Sequence, residues 1–116
     1  MKKQLGKHGE ERAAHYLKKN GYRICKTNYY TRYGELDIVC EKNGEIIFVE
    51  VKTRKTTSYG TPEESITYKK TQHIKKAAII YLNEYEKAFR GIRFDVITIF
   101  IDQQGKETIN HIENAF

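Results

Sequence analysis

The chain has 116 residues, 31% of them charged and 39% hydrophobic, and a formal net charge of +6. This length fits one domain, 1–116, with a modest core. No apolar run approaches the roughly 18 residues of a membrane-spanning helix, and Met1 to Leu5 lead into no apolar stretch, so a cytoplasmic protein without a secretory leader is expected.

The charge is unevenly placed. Residues 1–33 carry nine Lys and Arg against Glu10 and Glu11, a net of +7, and the rest of the chain comes to −1. Such asymmetry suits a polyanionic partner, although a merely basic protein has the same total. Cys25 and Cys40 lack CxxC spacing and the histidines are scattered, so the cysteines read as small buried hydrophobes and not as zinc ligands.

In chain order, residues 5–20 are predicted as a helix stopped by Asn20-Gly21, a left-handed terminator. Glu10, Ala13, Ala14 and Leu17 share its inner stripe. Glu10 is then either a site carboxylate or a first-turn acid favoured by the helix dipole. Residues 22–30 read as a strand. Tyr29, Tyr30 and Tyr33 beside Arg32 either stack on bases or are ordinary strand residues.

The chain from Gly34 to Lys52 reads as a hairpin. Asn43-Gly44 is a strong turn signal, because a type I′ turn needs positive φ at both central residues. That turn predicts that Lys42 faces Glu45, Val39 faces Phe48, Asp37 faces Glu50 and Glu35 faces Lys52. Two carboxylates side by side destabilise a sheet unless a cation or a shared proton lies between them. Paired hard oxygen ligands suit Mg²⁺ or Mn²⁺, and a lysine two residues beyond Glu50 could position a water or offset charge on a phosphate. The alternative is a solvated face of mixed charges.

Residues 53–60 follow as a polar loop, and Thr61-Pro62-Glu63-Glu64 reads as a helix start. Ile74, Ala77, Ala78, Tyr81, Leu82 and Tyr85 form the stripe of a second helix. One turn earlier, Lys70 lies on the same stripe, either snorkelling or directed at a phosphate. Residues 92–101 read as a buried strand in which Asp95 needs a partner, Arg93 or a backbone donor. A last strand is predicted over 107–112. The strands flanking the second helix should be parallel, because a helical crossover joins them.

This order, with an acid and E-x-K on adjacent strands, resembles the PD-(D/E)XK restriction-endonuclease-like superfamily. More closely, Gly9-Glu10, Asn28, Gly34-Glu35-Leu36-Asp37, Phe48-Val49-Glu50-Val51-Lys52-Thr53-Arg54, Lys70, Ala77-Ala78-x-x-Tyr81-Leu82 and Arg93-Phe94-Asp95-Val96 resemble the YraN-like family of small bacterial proteins. That family is similar in turn to archaeal Holliday-junction resolvases, which are Mg²⁺-dependent homodimeric nucleases. One departure is Leu36, where the superfamily has a proline before its first acid.

The resemblance implies an α/β fold with a restriction-endonuclease-like αβββαβ core, its mixed central sheet flanked by helices. It implies Glu10, Asp37, Glu50 and Lys52 as catalytic residues and a Mg²⁺ or Mn²⁺ ion held by Asp37, Glu50 and the Val51 carbonyl. The expected activity is metal-dependent phosphodiester hydrolysis of DNA ahead of RNA, with branched or structured DNA among the candidate substrates, by a monomer or a homodimer. Arg32, Arg54, Lys55 and Lys70 are the expected nucleic-acid contacts. The rival expectations are a nucleic-acid-binding module that keeps the fold without cleaving, and a protein docking its basic face on a ribonucleoprotein.

Overall fold

The structure is a computed structural model that describes residues 2–55 and 66–116. Helix α1 spans Lys2–Lys19, strand β1 Arg23–Thr31, β2 Gly34–Lys42, β3 Glu45–Arg54, helix α2 Tyr68–Glu84, β4 Gly91–Ile101 and β5 Glu107–Ile112. The five strands form one sheet in the order β1-β2-β3-β4-β5. Only β3 and β4, joined through α2, are parallel; the other neighbours are antiparallel. The expected mixed αβββαβ core is present, with β5 added at one edge.

Local chemistry explains the boundaries. Gly21, at φ 89°, ends α1, and its N–H donates to Lys18 O while Tyr22 N donates to Leu17 O. These two bonds satisfy carbonyls that a helix end otherwise leaves unpaired. Asn43 and Gly44 have φ values of 53° and 82°, so the hairpin turn is the one expected, and Lys42↔Glu45 through Ile38↔Val49 pair in the expected register. The Thr61-Pro62-Glu63-Glu64 helix start lies outside the described residues, and helix α2 begins at Tyr68. Its cap is Thr67, whose hydroxyl accepts from Lys70 N at 3.1 Å. Strand β3 continues to Arg54, two residues beyond the predicted hairpin end.

Alternation along the strands divides the core between two faces. Ile38, Cys40, Ile47, Val49 and Ile97 pack with Ala13 and Leu17 of α1. Val39, Ile46 and Phe48 pack with Ile74, Ala77 and Tyr81 of α2. The alternation breaks at Asp37, because Leu36 belongs to the α2 side and Ile38 to the α1 side. Opposite this break β1 is distorted as well, with Asn28 at φ 50°.

Asp95 is fully buried on β4. It accepts from Arg93 Nε and Nη2, both at 2.9 Å, from the Asn114 N–H at 3.2 Å, and pairs with His111 Nε2 at 2.7 Å. Both partners named from the sequence are there, Arg93 and a backbone donor. His111, from β5, is an addition. Among the described residues, no helix is long and apolar enough to cross a membrane.

Candidate metal and nucleic-acid site

The β2–β3 ladder ends at Ile38↔Val49, one pair short of the expected Asp37↔Glu50. From there Asp37 reaches β3 through its side chain: Oδ2 accepts the Val51 N–H at 2.9 Å. The directly opposed pairs Asp37–Glu50 and Glu35–Lys52 are therefore corrected: the ladder ends where the alternation of β2 breaks between Leu36 and Ile38. The two acids remain neighbours at the mouth where β2 and β3 part. Side chains of both α1 and α2 reach this mouth.

From α1 comes Glu10. Its approach depends on Gly9, which is buried against β3; a Cβ there would lie 1.9 Å from Thr53 Oγ1. Asn28 Nδ2 donates to Glu10 Oε1 at 2.8 Å and to Glu35 Oε2 at 2.9 Å. One amide thus clamps two carboxylates, and left-handed backbone, which Asn tolerates better than most residues, lets it do so. Glu10, Glu35 and Asp37 each place an oxygen within 4.8 Å of the others. Glu35 was not among the expected site residues. No periodic signal marks it, because the alternation that would relate it to Asp37 breaks at that residue.

From the α2 side, Glu50 is buried, 5% exposed, and lies between two lysines. Lys52 Nζ is 3.5 Å and Lys70 Nζ 3.7 Å from its Oε2. Among the described residues, no such cation lies within 4 Å of Asp37. Burial and the Glu50 charge push the Asp37 carboxyl up to about 8, the Val51 N–H opposes this, and Glu10 adds to it. Asp37 thus occupies a position that holds a proton or a cation.

The expected catalytic residues Glu10, Asp37, Glu50 and Lys52 meet here, together with Lys70. Arg54 and Lys55 are exposed and stand to one side, lining a groove of about 540 Å³ that Glu10, Val51 and Lys52 also border. Arg32 stands to the other side with its guanidinium 5.0 Å from the Tyr33 ring.

Fold and site define the class: a restriction-endonuclease-like α/β protein with a carboxylate cluster at the split of its central hairpin. The description "Uncharacterised protein family UPF0102" fits residues 9–99. Over the full length of both chains, the protein is 54% identical to the UPF0102 protein of Syntrophomonas wolfei and 47% identical to that of Alkaliphilus oremlandii. It is 45% identical to the UPF0102 protein of Persephonella marina, over 96% of this chain and 91% of that one. The chain belongs to the UPF0102 family, the YraN family that its motifs resemble.

Proposed function

We propose that this protein binds nucleic acid and hydrolyses phosphodiester bonds with a bound Mg²⁺ or Mn²⁺. The observation that carries the reading is Asp37, set among Glu10, Glu35 and Glu50 with its pKa raised and its carboxylate fixed by the Val51 N–H. The donors are all hard oxygens, as these ions prefer, and the cluster leaves room for waters and a phosphate.

Asp37 and Glu50, with the Val51 carbonyl, would hold the ion. When bound, it supplies a water of lowered pKa and stabilises charge on the phosphate. Lys52, steadied by Glu50, orients the attacking water and offsets the negative charge that grows on the phosphate oxygens. Glu10 supports the cluster through Asn28 and hydrogen-bonds outer waters. Arg54 and Lys55 hold the backbone in the groove beside the site, Arg32 holds it on the far side, and Lys70 adds a further cation.

The deciding experiment incubates purified protein with labelled linear, flapped and four-way DNA and with RNA, with and without Mn²⁺. Cleavage that requires Mn²⁺ and disappears in both Asp37→Asn and Lys52→Ala is the expected result. Cleavage that persists in Asp37→Asn would overturn the reading. A second reading, a nucleic-acid-binding module that does not cleave, is favoured by the two lysines on Glu50, which compete with an ion for that carboxylate. It predicts binding to these nucleic acids and no product under any metal.

A further inference from the structure

From the walls around the carboxylates, we infer that the site takes an unpaired nucleotide, its base stacked on Tyr33, beside the phosphate it acts on. This rests on the proposed function and names the substrate class for that same site.

A cavity of about 140 Å³ lies between the β1–β2 turn and the start of α2, lined by Tyr33, Gly34, Glu35, Lys70, His73 and Ile74. It adjoins the carboxylate cluster, for Glu35 belongs to both and Lys70 reaches Glu50. Its aromatic wall is rigid. Thr31 Oγ1 donates to Gly34 O at 2.8 Å and accepts from Tyr33 N at 3.1 Å. Gly34, at φ 131°, adopts a backbone that a side chain would oppose. Arg32 and the Lys76 ammonium, both exposed, lie over the Tyr33 ring at 5.0 Å and 5.4 Å, so a base that stacks on the ring displaces a cation, which is then free to meet the flanking phosphate.

Tyr30 adds a second plane. It is 76% exposed, an unusual place for a large ring, and on β1 it faces Glu35 of β2. A tyrosine ring has few rotatable bonds, so it loses little freedom when a base covers it. Tyr29 is not part of this surface, because its ring packs edge-on against Tyr81 at 5.4 Å and its hydroxyl donates to Glu84.

A paired base has its faces covered by its neighbours in the duplex and cannot lie flat on Tyr33. A base unstacked at a flap, junction or single strand can. On the other side of the carboxylates, the groove bordered by Arg54 and Lys55 accepts the continuing backbone. One strand therefore crosses the site from a cationic groove to an aromatic pocket.

The test measures affinity in Ca²⁺ for 2-aminopurine oligonucleotides of one sequence, presented as a single strand, as a flap on a duplex, and fully paired. The unpaired forms should bind about tenfold tighter or better, with the probe's fluorescence quenched by stacking. Tyr33→Leu should weaken the unpaired forms by at least about fivefold, the lower bound for one base–aromatic stack, and so remove most of that preference. Tyr33→Phe should keep it. Tyr30→Ala, at an exposed position, gives a second readout free of folding effects, and the preference should fall there too. Equal affinity for paired and unpaired forms, or a preference that both Tyr33→Leu and Tyr30→Ala leave intact, overturns the inference while the proposed function stands. Failure of every form to bind overturns both.

Discussion

Asp37 shows how one side chain can set opposite responses to pH and to metal. Its carboxyl keeps a proton in the folded chain at pH values where the unfolded chain has lost it. The resulting stabilisation is complete below about pH 4 and is lost as the pH rises towards about 8. Without metal, wild type should therefore lose ground to Asp37→Asn across that interval and end less stable than the variant at its upper limit. With millimolar Mn²⁺ the order reverses, since only wild type gains from an ion that binds the folded state. Thermal melts of both proteins across this pH range, with EDTA or Mn²⁺, check the sign in each case. Lys52→Ala separates the two roles at the site. It should keep the Mn²⁺-induced rise in Tm and abolish cleavage, because Lys52 acts on the water and Glu50 holds it there.

At the scale of elements, the site depends on how closely α1 rides on β3. Gly9→Ala would put a methyl 1.9 Å from Thr53 Oγ1, so α1 must lift and carry Glu10 away from Asn28. A cost of about 1–3 kcal/mol is expected, the usual penalty for overpacking. Adding Thr53→Ala should recover part of that loss and part of any activity, since the oxygen removed is the group in conflict. A chemical-denaturation series of the two single variants and the double variant measures the recovery. If the double variant is no more stable than Gly9→Ala alone, the close approach is not the cause. A second such joint ties β4 to β5. Burial raises the Asp95 pKa, but His111, Arg93 and the Asn114 N–H outweigh it and hold the carboxyl below its ordinary range. Its contribution is present above the unfolded carboxylate pKa and lost as the pH falls through the lower folded one. Arg93→Met leaves a buried charge short of its main partner and should cost about 3 kcal/mol, read at pH 7 as a lower denaturation midpoint.

For the whole molecule, the basic surplus of residues 1–33 makes binding salt-dependent. Lys70 refines this expectation. In the free protein its ammonium is 3.7 Å from Glu50, and an ion on Glu50 would release it to a phosphate. Lys70→Ala should thus flatten the log–log salt slope by about 0.7–0.9, one contact's worth, in Ca²⁺, and change it little in EDTA. Fluorescence anisotropy titrations at several salt concentrations give both slopes, and equal flattening in the two buffers would remove the link to Glu50.

Where interactions are local, the sequence alone determined the outcome. Asn43-Gly44 admits one turn geometry and so sets the β2–β3 pairing from Lys42↔Glu45 to Ile38↔Val49. Asn20-Gly21 ends α1, and the spacing of Ile74, Ala77, Ala78 and Tyr81 assigns the buried face of α2. Each follows from backbone conformation or helical period, which neighbours in the chain dictate. The tertiary structure decided where that ladder stops and what gathers at its open end. Asn28 is 18 residues from Glu10 and 7 from Glu35, and no local pattern announces that one amide joins them. His111 looked like a stray histidine until β5 laid it against Asp95, 16 residues away. Glu35 entered the cluster for the same reason: side chains that meet only after the sheet and helices have packed leave no periodic trace in the sequence.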